Sequence, residues 1–91
     1  MKNKNLLIDT HAHVNFKDFK DDCKEVIKRA LDGGVEMINV GAERKTSERA
    51  VKMAEEYENG VYASVGQHPG TKDEFDYGYF LNLARNEKVV A

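Results

Sequence analysis

The sequence has no tryptophan, a single proline and a single cysteine among its 91 residues. With Cys23 alone no disulfide can form within the chain, and a cytoplasmic, reducing setting is the expectation. No apolar run approaches the roughly 20 residues that cross a bilayer as a helix. Met1-Lys2-Asn3-Lys4-Asn5 is basic, but the apolar run after it is cut short by Asp9, unlike a signal peptide. Charge of one sign is also missing: 14 Lys and Arg face 16 Asp and Glu, a formal net charge of −2. A broad electrostatic grip on nucleic acid is therefore not expected, although bound metal ions can supply positive charge locally. Neither a Gly-x-Gly-x-x-Gly turn nor a P-loop occurs, and no Ser-His-Asp or Cys-His grouping has local support.

What is present fits one small globular unit. Hydrophobic residues make up 41% and charged residues 33%, neither disordered nor membrane-like in balance. A chain this short buries only roughly 60–65% of its unfolded surface, so its stability is expected to be marginal. The whole of 1–91 reads as a single partial domain.

The stretch Leu6-Leu7-Ile8-Asp9-Thr10-His11-Ala12-His13 is an apolar run ending in two histidines one residue apart. In an extended chain residues two apart share a face. His11 and His13 would then aim at one spot from the end of a buried strand, with Asp9 one step deeper. Two neutral imidazoles suit a borderline divalent metal. The alternative is a pair of histidines that are merely exposed or packed in a core. Asp9 could ligate directly, but its depth suits orienting a ligating imidazole.

Beyond Phe16 the period changes. Cys23, Val26, Ile27, Ala30 and Leu31 form one helical stripe, with Asp18 as the expected N-cap and Gly33-Gly34 as the stop. Cys23 belongs to that stripe and reads as an inert, buried thiol. Val35 to Val40 is a second strand. A second helix is expected from about Thr46 to Glu58, with Ala50, Val51, Ala54 and Tyr57 inward. Val61 to Gly66 is a third strand, running into Gln67-His68-Pro69-Gly70. After a polar loop, Tyr77, Phe80, Leu81 and Ala84 mark the inner side of a third helix, and Lys88-Val89-Val90-Ala91 begins a fourth strand. Strands and helices alternating at this spacing predict an α/β fold with a parallel βαβαβα(β) sheet.

Functional loops in such folds gather at the carboxyl ends of the strands. His11, His13, Glu43 and His68 would all lie on that rim. Pro69 favours an extended His68, though an ordinary turn residue is equally compatible. Glu43 could be a ligand or a solvated carboxylate at the start of a helix. Two histidines are too few for a firm metal site, which usually takes three or more protein ligands.

Ile8-Asp9-Thr10-His11-Ala12-His13 resembles the I-D-x-H-x-H signature of the TatD metal-dependent deoxyribonucleases. Val65-Gly66-Gln67-His68-Pro69 resembles the G-x-H-P signature of the same family. The resemblance implies a (β/α)8 barrel of about 250 residues, of which this chain looks like the first third. It also implies that His11 and His13 ligate one of two divalent ions (Mg, Zn or Mn). His68 would lie near the substrate phosphate, to position it or assist proton transfer. DNA would be the substrate, cleaved by phosphodiester hydrolysis. The family's bridging glutamate, in a G-E-x-G-L-D segment, and its later ligands have no counterpart here. The fragment alone is therefore expected to be inactive, and its uncovered sheet to drive self-association. Two other readings remain: a barrel amidohydrolase acting on C–N or ester bonds, and a non-catalytic binding or assembly module.

Overall fold

The computed structural model describes residues 7–72 and 74–91. The basic stretch 1–5 and Leu6, the expected first residue of the opening strand, lie outside them. Strands β1 (Leu7–Ala12), β2 (Val35–Val40) and β3 (Val61–Ser64) alternate with helices α1 (Cys23–Asp32), α2 (Arg44–Glu55) and α3 (Tyr77–Ala84). The strands pair in parallel in the order β1-β2-β3. The segment 88–91 lies beside β3: Ala63 N–H donates to Lys88 O at 2.9 Å, Val90 N–H to Ala63 O at 2.9 Å and Val65 N–H to Ala91 O at 3.0 Å. The alternation read from the sequence is the alternation observed.

Period-two side chains explain how the layers pack. Met37 of β2 and Val61 of β3 join Val14, Ile27 of α1, and Met53 and Ala54 of α2 in one buried cluster. Ala50, Val51 and Ala63 form a second, extended by Val65, Leu83 and Val89. The helices thus share one face of the sheet. Ile38, Val40, Tyr62 and Ser64, at the alternate positions, stay half-buried on the other. Among the described residues no helix is long and apolar enough to cross a membrane.

Four local expectations are corrected. The first strand is not buried: Leu7 is 68% and Ile8 50% exposed, because β1 is the edge of the sheet. The first helix begins at Cys23 behind Asp22, while Asp18 falls in a short 3-10 turn, Lys17–Phe19. Two phenylalanines hold that turn out of the helix, Phe19 packing on the core and Phe16 lying 4.2 Å from the His13 ring. The second helix is capped by Glu43, whose carboxylate accepts the Thr46 N–H at 3.0 Å. Thr46 answers through its hydroxyl, which accepts the Ala42 and Glu43 N–H groups at 2.8 and 3.2 Å. Thr46 is therefore the third helical residue of a capping box, not its start. On α3, only Phe80 of the expected inner stripe is buried, and Tyr77, Leu81 and Ala84 face outward. The helix is rolled by contacts the pattern does not encode: the Arg44 guanidinium lies 4.4 Å over the Tyr79 ring and Phe75 stacks on Phe80 at 5.2 Å. Burial, then the charge of Glu48, raises the Tyr79 hydroxyl above its ordinary pKa.

Gly34 takes a left-handed φ of 84° just after α1, which is where a glycine stop belongs. Gly41 is required for a different reason, close approach. A Cβ there would fall 2.2 Å from Ser47 Oγ and 2.5 Å from Ser47 Cα. Ser47 is wholly buried, and its hydroxyl donates to Gly66 O at 3.1 Å while accepting Gly66 N–H at 3.2 Å. Glycine at 41 thus lets α2 settle onto the ends of β2 and β3 together. Gly41→Ala is expected to destabilise the fold by about 3 kcal/mol, read as a lower urea midpoint with an unchanged slope.

Candidate metal and substrate cleft

The register between β1 and β2 slips between Asp9 and Ala12, so a bulge sits at the histidine end of the strand. Bulges re-aim side chains, and here the His11 and His13 rings meet edge to face with centroids 4.9 Å apart. Imidazole nitrogen is a common ligand of divalent metals, and the two rings stand together at the end of β1. Asp9 is exposed, and its Oδ1 accepts the backbone N–H of His11 at 3.0 Å. It holds the strand at the histidine's own peptide.

His13 is fixed more tightly. Its Nδ1 lies 3.1 Å from Val40 O at the end of β2. A carbonyl only accepts, so Nδ1 is the donor in this contact, and in a neutral ring the lone pair that a metal ligand needs is then on Nε2. The chain then turns under two buried asparagines. Asn39 Oδ1 accepts the Val14 N–H at 3.0 Å, and Asn15 Nδ2 donates to Val40 O at 3.2 Å and Thr46 O at 2.8 Å. Both side chains are fully buried.

His68 comes to the same place from β3. Its N–H donates to Ala42 O at 2.7 Å, and Thr71 Oγ1 reaches that carbonyl at 3.3 Å. His11, His13 and His68 line one cleft of about 420 Å³, together with Phe16, Val40, Gly41, Ala42, Gly66 and Gln67. Glu43 is outside it, engaged in the α2 cap. A recess of about 530 Å³ over the α2–α3 seam is lined by Glu43, Arg44, Lys45, Glu48 and Tyr79. Within it Glu43 serves the cap, and Arg44 and Glu48 act on Tyr79. Among the described residues no three His, Cys, Asp or Glu converge as a metal-binding group. The two imidazoles suit a divalent cation in kind and fall short of a closed site in number.

Sequence comparison decides the family. The family model described as TatD related DNase matches residues 8–91. The chain belongs to that family. Its fold is accordingly a partial TIM barrel, three parallel strands with their helices on one side. A metal-dependent hydrolase of Bacillus subtilis, YabD, itself uncharacterized, is 42% identical over 90 residues, covering 94% of this chain and 35% of that protein. The Escherichia coli metal-dependent hydrolase YjjV, also uncharacterized, is 41% identical over 64 residues, 69% of this chain and 24% of its own length. A metal-dependent hydrolase of Methanocaldococcus jannaschii, MJ1582, likewise uncharacterized, is 32% identical over 62 residues, 68% of this chain and 24% of its own length. The chain thus spans about a third or less of these relatives.

For this TatD-related chain, the histidines singled out in the sequence do share a cleft. Asp9 is near them in sequence but meets a peptide group rather than, among the described contacts, a ring. The supports escaped sequence reading. Val40 and Ala42 act through their carbonyls, which carry no side-chain signal. Asn39 did leave one, an amide within the otherwise apolar Met-Ile-Asn-Val run at a helix-facing position. Asn39→Ala is expected to cost about 2 kcal/mol by leaving the Val14 N–H without its acceptor, measured as a shift in the urea midpoint.

Proposed function

We propose that this chain is the amino-terminal part of a divalent-metal-dependent deoxyribonuclease that hydrolyses phosphodiester bonds in the cytoplasm. The observation that carries the reading is the edge-to-face meeting of His11 and His13, with His13 Nδ1 held on Val40 O so that Nε2 is free to ligate. The family description names DNA hydrolysis and the relatives' names specify metal-dependent hydrolysis. His11 and His13 would hold one ion of a two-ion site, Asp9 would stiffen the strand that presents them, and His68 would face the substrate phosphate. When bound, the ions supply Lewis acidity and hydroxide at neutral pH. The mild negative charge of the chain agrees with a site whose attraction for DNA comes from metal rather than from a basic surface.

In the longer parent protein, His11→Ala and His13→Ala are each expected to lower cleavage of a single-stranded DNA oligonucleotide by more than about a hundredfold, exceeding the usual loss for groups behind a ligand. A chelator should abolish the activity and added Mg, Mn or Zn should restore it. Hydrolysis of cyclic amides or esters without any of DNA would replace this reading with the amidohydrolase one. The 91 residues alone should show no turnover, because two imidazoles leave the ion under-coordinated. DNA cleavage by the purified chain, lost in His11→Ala, would overturn that expectation.

The exposed edge of β1, with Leu7 and Ile8 facing solvent, supports a second expectation. Unpaired strand edges recruit partners. The isolated chain should therefore sediment as a concentration-dependent mixture of oligomers, and a single monomeric boundary at high concentration would refute this.

A further inference from the structure

Phe16 and Phe19 lie three residues apart on the loop after the histidines, and their rings go separate ways. Phe19 packs on the larger buried cluster. Phe16 is half-buried, and its ring borders the cleft of about 420 Å³ beside His11, His13 and His68. It meets the His13 ring at 4.2 Å between centroids, tilted by 40°. The hydrophobic effect draws a phenyl ring toward a core, and here the backbone holds it at the cleft instead. Phe16 N–H donates to His13 O at 3.0 Å, and Phe19 N–H donates to Phe16 O at 3.0 Å. The other walls are low. Phe16 follows β1 and Gly66 follows β3, on either side of the central strand. A Cβ built on Gly66 would meet no atom beyond its chain neighbours within 4 Å. Gly41 and Ala42, which also border the cleft, add nothing longer than a methyl group. A flat group can therefore enter beside the Phe16 ring.

We propose that Phe16 is a stacking platform for a nucleobase of the substrate strand, the base of the nucleotide whose phosphate is held at the histidines. The assignment rests on the phosphodiester reading above for the presence of a nucleotide, and on Phe16 for the part of it that is gripped. Every base has a π-face, and an aromatic side chain binds that face by offset stacking. A nucleotide carries its base one sugar away from its phosphate. Phe16 likewise stands one ring away from His13, the imidazole assigned to the metal. The formal net charge of −2 gives a polyanionic strand little to hold on the surface at large. Grip beyond the metal then falls to contacts inside the cleft. A phenyl ring has no hydrogen-bond donor or acceptor, so it holds any of the four bases without reading which one it is.

Thymidine 5′-phosphate and 2-deoxyribose 5-phosphate share a sugar and a phosphate and differ at the base, so their binding to the metal-loaded parent protein isolates the stack. By calorimetry, thymidine 5′-phosphate should bind about tenfold more tightly, within the range of one base–aromatic stack. Phe16→Leu keeps an apolar side chain and removes the π-face. It should abolish that preference by weakening thymidine 5′-phosphate alone. In cleavage, the same variant should lose about tenfold in kcat/KM on oligothymidine and nothing on an oligomer of abasic units. Equal losses on the two oligomers would mean that Phe16 only props the His13 ring, and would overturn the proposal. Equal binding of the two phosphates by the unaltered protein would overturn it as well, with no variant needing to fold. A preference for thymidine 5′-phosphate that depends on Phe16, in a parent that cleaves no DNA, would uphold the platform and overturn the phosphodiester reading alone.

Discussion

The cleft depends on two peptide carbonyls at the end of the central strand. Val40 O receives His13 Nδ1–H and Asn15 Nδ2–H, and Ala42 O receives the His68 N–H and the Thr71 hydroxyl. The strand-one and strand-three sides of the cleft are thus tied to β2 rather than to each other. Carbonyls at the end of a parallel strand are left over when the ladder stops, and they must find donors. Here the donors come from the loops that line the cleft. This is a concrete reason for functional loops to gather at that end of the sheet: the unsatisfied acceptors are already there, on a rigid element.

The same seam needs α2 to come close, and that requirement falls on Gly41 and Ser47. Gly41 N–H donates to Ser64 O at 2.8 Å while the buried Ser47 hydroxyl both gives to and takes from Gly66. One small side chain therefore joins the start of a helix to the end of the neighbouring strand. Glu43 and Thr46 finish the helix end with a reciprocal cap. A carboxylate in this position satisfies helical N–H groups and favours the positive end of the helix dipole. That explains why a rim carboxylate which could have served a metal does not turn toward the histidines.

Much of the fold was legible because it is written in periodicity. The apolar stripe of Cys23, Val26, Ile27, Ala30 and Leu31, the β2 and β3 runs, and the glycine stops all predicted elements found within a few residues of their expected ends. His11 and His13 were legible as a pair because alternation alone puts them on one face, and their rings stay together across the register shift. What escaped was whatever depends on a partner. The roll of α3 follows from Arg44 on Tyr79, a contact between helices that no single-helix pattern contains. The delayed start of α1 follows from Phe16 and Phe19 pulling toward different neighbours. The exposure of β1 is a matter of sheet order, and the same Leu-Leu-Ile run would read identically in a central strand.

One polar group tests how complete this local network is. Asn15 is fully buried and gives both of its amide hydrogens to carbonyls, yet its Oδ1 has no hydrogen-bond partner among the described residues. An acceptor left unmet in a buried place costs about 1–3 kcal/mol, and that cost is set against the two hydrogen bonds the amide N–H groups make. Their two targets, Val40 O and Thr46 O, lie at the end of β2 and in the first turn of α2. Asn15 therefore clamps the loop that follows the histidines onto both elements at once. An aspartate there would put oxygens against two carbonyls, and an apolar residue would leave the clamp open. The acceptor forgone at Oδ1 is set against a clamp that ends on Val40 O, the same carbonyl that meets His13 Nδ1.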